Sequence, residues 1–307
     1  MINQKYSADA SKKRLFLLSI PIFFSNLAIP LTGIIDTGLM GNLGDSKFLA
    51  ATSIATSVMT MIIWSFAFLR MGTVGIVAQL FGKSDYREIA RLLGRNLLLA
   101  IIIAVAIILL KPIIIGLTKD FFSTSVETQE LIKTYISVRV LSVPAEFIIY
   151  ILVGFYLGIQ KTNISSLLII ILSTLNIIFS SFFVLSLDLN VLGVVLGTLL
   201  ASYITAIIFS LFTYNFIVKK FQIIPTFQRL IVPSKLLKSL LNGQTLIHIA
   251  QSVFIFVQYS KHFSQFAVHF FTPDIFDRLW LVKSGLPKGN ALGGQAWAHL
   301  SQISQNF

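Results

Sequence analysis

The 307-residue chain contains no cysteine, which excludes disulfides and thiolate metal sites and leaves the redox compartment open. Charge is also scarce. Only 12% of residues are charged, against about 25% in soluble domains, and acidic residues number 12 to 24 basic ones. No zinc-protease or nucleophile-elbow motif is present, so an enzyme is not expected. What fills the space is apolar: 55% of residues are hydrophobic and mean hydropathy is +0.84. This composition describes an all-α, polytopic membrane protein. The net charge of +12 is not gathered on one soluble face, so no nucleic-acid partner is expected. The basic residues sit between apolar runs instead.

Runs of suitable length recur at about 15–41, 48–81, 92–117, 131–158, 163–187 and 191–218, predicting six spanning helices with short connections in a lipid bilayer. Lys12, Lys13 and Arg14 precede the first run as in a signal peptide, but the run is too long and further spans follow, so an uncleaved first helix is expected. Sorting Lys and Arg by side orients the bundle. Lys5, Lys12, Lys13, Arg14, Lys83, Arg87, Arg91, Arg95, Lys161, Lys219, Lys220, Arg229, Lys235 and Lys238 share one side. Only Lys47, Lys111, Lys119 and Lys133 lie on the other. Fourteen against four puts the amino terminus in the cytoplasm.

Inside these apolar runs the few polar residues stand out. Leu15 to Met40 carries no charge except Asp36, and its 26 residues would span about 39 Å as a helix. An ionised Asp near the centre of a span costs roughly 2.5–3.5 kcal/mol on insertion scales, so such a group ordinarily faces a protein-lined cavity where it exchanges protons. The alternative is an Asp wetted by headgroups at the helix end, near Gly38, Gly41 and Asn42. Pro30 leaves the Asn26 carbonyl without its helical partner, which predicts a bend. Ser25 and Thr32 would project within about 40° of Asp36 on an unbroken helix. Arg70 is a second intramembrane charge, read as structural or snorkelling to an interface. Gly75, Ala78 and Gly82 share a face suited to close helix contact. Arg139 and Glu146 flank Pro144 seven residues apart; a pairing is open, but the preferred reading lays Arg139 near the interface. Ser173, Asn176 and Ser180 form one polar stripe, either helix–helix glue or a cavity wall. Gly193, Gly197 and Ala201 form a second small-residue packing face.

Three ordered stretches carry a resemblance: Pro30-Leu-Thr-Gly-Ile-Ile-Asp36-Thr37; Arg70-Met-Gly-Thr-Val-Gly-Ile-Val-Ala-Gln79-Leu-Phe-Gly82-Lys83; and Leu175-Asn176-Ile177 with Asn190-Val-Leu-Gly193. They resemble the multidrug and toxic compound extrusion (MATE) transporters, in the branch of DNA-damage-inducible protein F, over about residues 10–240. The resemblance implies that residues 1–220 form the amino-terminal six-helix lobe, half of a twelve-helix, two-lobe antiporter in a bacterial inner membrane. Such a protein exports organic or drug-like compounds in exchange for a proton or sodium ion and needs no cofactor. Asp36 matches the family's ion-coupling acid, and Asn176 a polar position of the fifth helix. Thr32, Arg70, Gln79, Ser173, Asn176 and Ser180 are the expected cavity-lining residues. Ser180 stands where many members carry a second acid, and Ser173 where many carry an amide. A sodium site of several carboxylates is therefore poorly supported, and proton coupling is the favoured form. A lipid-linked glycan flippase of the same superfamily is the first rival, and a cavity rich in Arg would favour it. A non-transporting membrane fragment is the second.

Beyond the lobe, residues 221–241 read as a cytoplasmic connection, and 242–307 change character. All four His residues fall there, at spacings that match no ligand motif, so no metal site is expected. The Asn290-Ala-Leu-Gly-Gly-Gln295-Ala-Trp-Ala-His299 stretch echoes the one around Gln79, 216 residues earlier. The tail is expected to be an irregular, degenerate or frame-shifted remnant of a second lobe, leaving the chain truncated and possible activity in question.

Overall fold

The computed structural model describes residues 12–43, 45–122 and 124–222. Apart from residues 221 and 222, the expected connection over 221–241 and the tail over 242–307 lie outside the described residues.

The described chain is helical throughout. Helix α1 runs Lys12–Gly41, α2 Ser46–Ser65, α3 Phe68–Gly82, α4 Tyr86–Leu109, α5 Lys111–Phe121, α6 Val126–Arg139, α7 Val143–Gly158, α8 Thr162–Leu185 and α9 Asn190–Phe216. A π-helical turn, Ile217–Phe221, follows α9. Six apolar runs thus become nine helices, because three of the runs are broken. The α2–α3 run breaks at Phe66–Ala67, where the Phe66 and Ala67 amides turn back to Ile63 and Trp64. The α4–α5 run breaks before Pro112, and the α6–α7 run tightens into a 3-10 turn, Val140–Ser142, before Pro144. Each proline lacks the amide that would continue the preceding helix. Helix α1 keeps both Pro21 and Pro30 inside one continuous helix. Five runs, from α2–α3 through α9, are each long and apolar enough to cross a bilayer.

Two connections at one end of the lobe close alike. Ser84 and Gln160 adopt φ of 56° and 60°, and the next amides, of Asp85 and Lys161, return to the Leu80 and Tyr156 carbonyls. This is the closure that stops a helix within one residue, and here it uses residues other than glycine. At the opposite end Asp45 caps α2 by accepting the Lys47 amide at 2.9 Å. That bond, with the Lys47 ammonium, holds the exposed Asp45 carboxyl below the usual carboxylate range.

The α6–α7 run is the centre of the lobe: 67% of its most apolar stretch is buried, against 22% for α2–α3 and for α4. Phe147, Phe155 and Tyr156 are fully enclosed there. Leu27, Leu31 and Ile34 on α1 and Ile207, Ile208 and Leu211 on α9 are exposed, as residues facing lipid tails would be. Since tails are as apolar as leucine, contact between the helices rests on close packing rather than on burial from water. The closest approaches occur at glycine. A Cβ on Gly154 or Gly158 would lie 2.7 Å from the Arg70 carbonyl oxygen or from Val77, which seats α7 against α3. A Cβ on Gly197 would lie 2.5 Å from the Ser180 amide nitrogen and hydroxyl, which seats α9 against α8. Gly193 and Gly197 therefore form the expected contact face. The Gly75, Ala78 and Gly82 face does not: all three are exposed, and no atom lies within 4 Å of a Cβ built on Gly75 or Gly82. Helix α3 turns Thr73 and Val77 inward instead.

Candidate functional site

Helix α8 presents Ser173, Asn176 and Ser180 on one buried face, as their spacing of three and four residues requires. The approach at Gly197 brings the next residue of α9, Thr198, into reach. The Asn176 amide donates to the Thr198 hydroxyl at 2.9 Å, and Thr198 donates to the Val194 carbonyl at 3.2 Å. Ser180 has one hydroxyl hydrogen and two distant acceptors, the Asn176 side-chain oxygen at 3.3 Å and the Val194 carbonyl at 3.4 Å. Both contacts are long, so the hydrogen is not firmly committed to either.

Asp36 enters this cluster from α1, half-buried, with its carboxylate facing the Ser180 hydroxyl. Its Oδ1 atom is buried and, among the described residues, has no hydrogen-bond partner. A buried oxygen of this kind costs free energy until something donates to it. Helices α1, α8 and α9 thus bring together Asp36, Asn176 and Ser180 from the expected set, and add Thr198. Ser173 lies on the same buried face two turns from Ser180. Thr32, one turn before Asp36, donates its hydroxyl to the Ala28 carbonyl at 3.0 Å. Gln79 is exposed near the end of α3, and among the described residues no hydrogen bond joins its side chain to the cluster.

A second set of charges lies on α6 and α7. Arg139 pairs with Glu146 across the 3-10 turn, and Ser142 binds both. The two side chains are 12% and 13% exposed, so Arg139 is buried rather than laid at an interface. The pairing that the sequence leaves open is therefore made, across the 3-10 turn. Arg139 is close enough to Asp36 for its charge to act on the carboxylate, and the charges of Arg139, Asp36 and Glu146 all reach Tyr135, which accepts a 2.9 Å bond from Thr56.

Arg70 is elsewhere. Its guanidinium lies over the Tyr150 ring, 5.8 Å from the centroid. It lines an open cleft of about 330 Å³ between α1, α3, α7 and α8, together with Ser25, Ser165 and Ser166. This cleft includes none of Asp36, Asn176 and Ser180, so of the expected cavity residues only Arg70 reaches it. Among the described residues no group of three His, Asp or Glu is placed to hold a metal ion. The sequence reading missed Thr198. Its only signal was its place next to Gly197 in the small-residue face.

Comparison with known proteins fits this arrangement. The MatE family model matches residues 21–182, more than half of the chain. DNA damage-inducible protein F of Escherichia coli is 33% identical over 199 residues, which cover 65% of this chain and 43% of that protein. Multidrug export protein MepA of Staphylococcus saprophyticus is 25% identical over 200 residues, covering 65% and 44%. The chain spans less than half the length of these curated relatives. A crystal structure of MATE in the bent conformation superposes with a TM-score of 0.69 at 24% identity, over 83% of this chain and 55% of that one, which is a likeness of fold. The nine-helix membrane lobe and the span of the family match agree: the chain belongs to the MATE (MatE) family of transporters.

Proposed function

We propose that residues 1–220 are the amino-terminal lobe of a proton-coupled antiporter that exports organic, drug-like compounds from a bacterial cell, with Asp36 as the coupling group. The observation that carries this reading is the buried, unpartnered Oδ1 of Asp36 beside the loosely held Ser180 hydroxyl. Ionised, the carboxylate accepts the Ser180 hydrogen; protonated, it donates to a neighbouring oxygen and returns that hydrogen to Asn176 or Val194. Proton occupancy then selects between two hydrogen-bond arrangements of α1, α8 and α9, and a ligand that prefers one of them is coupled to the proton. Proton rather than sodium is favoured because Ser180, which faces Asp36, stands where many members of the family carry a second acid. The names of the relatives, which include multidrug export proteins, supply the substrate class.

The flippase reading needs a cavity rich in arginine, and Arg139 is spent on Glu146. In this proposal the amino terminus is cytoplasmic and residues 242–307 are a remnant of the second lobe, joined through 221–241. The test is transport. Joined to a second six-helix lobe and placed in proteoliposomes with an imposed proton gradient, the chain is expected to exchange protons for an organic cation such as ethidium. Asp36→Asn should insert normally and abolish that exchange; undiminished exchange by the variant would move the coupling role to Glu146. A cysteine placed at residue 85 of the cysteine-free chain should label from the cytoplasmic side, and one at residue 120 from outside.

A further inference from the structure

Arg70 is a cation within an apolar span, and the other arginines there are neutralised differently. Arg139 has Glu146, and Arg95 has Glu88 at 2.9 Å. Among the described residues no carboxylate pairs with Arg70, whose partner is the face of Tyr150. A guanidinium in hydrocarbon is costly unless a counter-charge accompanies it. The cleft beside it is built to receive one. Ser165 and Ser166, both buried, stand in the first turns of α8, one turn beyond the connection that follows Gly158. That places them level with Gly154, the residue packed on the Arg70 carbonyl. The Ser166 hydroxyl is buried and, among the described residues, has no hydrogen-bond partner. Ser25 aside, the rest of the cleft is apolar, lined by Met71, Val74, Val153, Leu157 and Ile169. A donor fork, an unused hydroxyl and an apolar wall together fit an anionic head on a short apolar stem.

We propose that the α1–α3–α7–α8 cleft is a phosphate-binding site, with Arg70 and Ser166 as its donors. Arg70 reads the phosphate oxygens through the paired N–H groups of its guanidinium, and Ser166 donates its hydroxyl. The phosphate comes either from an anionic lipid headgroup or from free phosphate. This site is independent of Asp36 and stands or falls separately from the antiporter reading.

The test is the thermal unfolding of the purified chain in a maltoside detergent, titrated separately with a short-chain phosphatidylglycerol, the matching diacylglycerol and inorganic phosphate. Phosphatidylglycerol should raise Tm saturably while diacylglycerol does not, which assigns the site to the lipid headgroup. An equal, saturable rise with inorganic phosphate would assign it to free phosphate. Arg70→Gln should weaken the apparent affinity about tenfold, the loss expected of one charge-assisted contact. Should that variant not fold, Ser166→Ala, which removes only an unpaired hydroxyl, should weaken it severalfold at unchanged basal Tm. Asp36→Asn should leave the titration unaltered. No rise with either phosphate compound, or a rise that survives both Arg70→Gln and Ser166→Ala, would overturn the proposal.

Discussion

Arg139 and Arg70 sit beside breaks in two long apolar runs, and both act on α7, within one turn of each other. Arg139 meets Glu146 and Arg70 meets Tyr150. The α6–α7 break is a 3-10 turn ahead of a proline, and an acid of the same run pairs with the arginine across it. The α2–α3 break is a tight turn at Phe66–Ala67, held by the Phe66 ring against Phe147, and it brings no acid with it. One junction is electrically closed and buried; the other leaves a cation at the wall of an open cleft. A charge in an apolar helix is thus structural or available according to whether an acid stands across the neighbouring break.

The largest expected effect comes from opening the closed junction. Glu146→Gln leaves Arg139 buried without its counter-charge and should cost about 3–5 kcal/mol of stability, read from reversible unfolding in mixed micelles. Arg139→Met combined with Glu146→Gln should recover most of the loss. Arg70→Gln, measured in the same way, should cost about 1 kcal/mol or less, the worth of a cation–π contact. Equal losses at the two arginines would erase the distinction.

Glycine sharpens the contrast one step down. Gly154→Ala forces a methyl to within 2.7 Å of the Arg70 carbonyl oxygen and should destabilise by roughly 1–3 kcal/mol. Gly75→Ala meets nothing within 4 Å and should be neutral or stabilising by up to about 1 kcal/mol, since alanine is the better helix former. A costly Gly75→Ala would mean that the exposed face of α3 is packed in the lobe.

The smallest effect belongs to the helix closures. Ser84 holds a left-handed backbone, so Ser84→Gly relieves a strain of roughly 1 kcal/mol, partly offset by the greater freedom of glycine in the unfolded chain. A rise in Tm of a few degrees at most is expected, and a fall would contradict the assignment of that turn.

Much of this was legible in the sequence. Hydropathy outlined the apolar runs, helical spacing put Asn176 and Ser180 on one face, and Asp36 stood out as the one charge between Leu15 and Met40. What the sequence withheld depends on contact between helices or on breaks within them. Thr198 joins Asn176 only because Gly197 lets α9 approach α8. Arg139 reads as interfacial because its spacing from Glu146 permits a pairing without requiring one, and only the packed side chains show that it is made. Gly75, Ala78 and Gly82 have the spacing of a contact face, but α3 buries Thr73 and Val77, and periodicity alone cannot choose between two faces of an apolar helix. Arg70 reads as a snorkelling residue because neither Tyr150 nor the cleft is visible in a linear pattern.

The claim that Asp36 exchanges a proton inside the lobe is tested most directly by infrared difference spectroscopy of the purified chain as pH is raised. The account predicts that a protonated-carboxyl band is lost on deprotonation in the wild type and is missing from Asp36→Asn, with the Glu146 pairing unchanged in both. A wild-type spectrum without such a band, or a band that persists in Asp36→Asn, would contradict it.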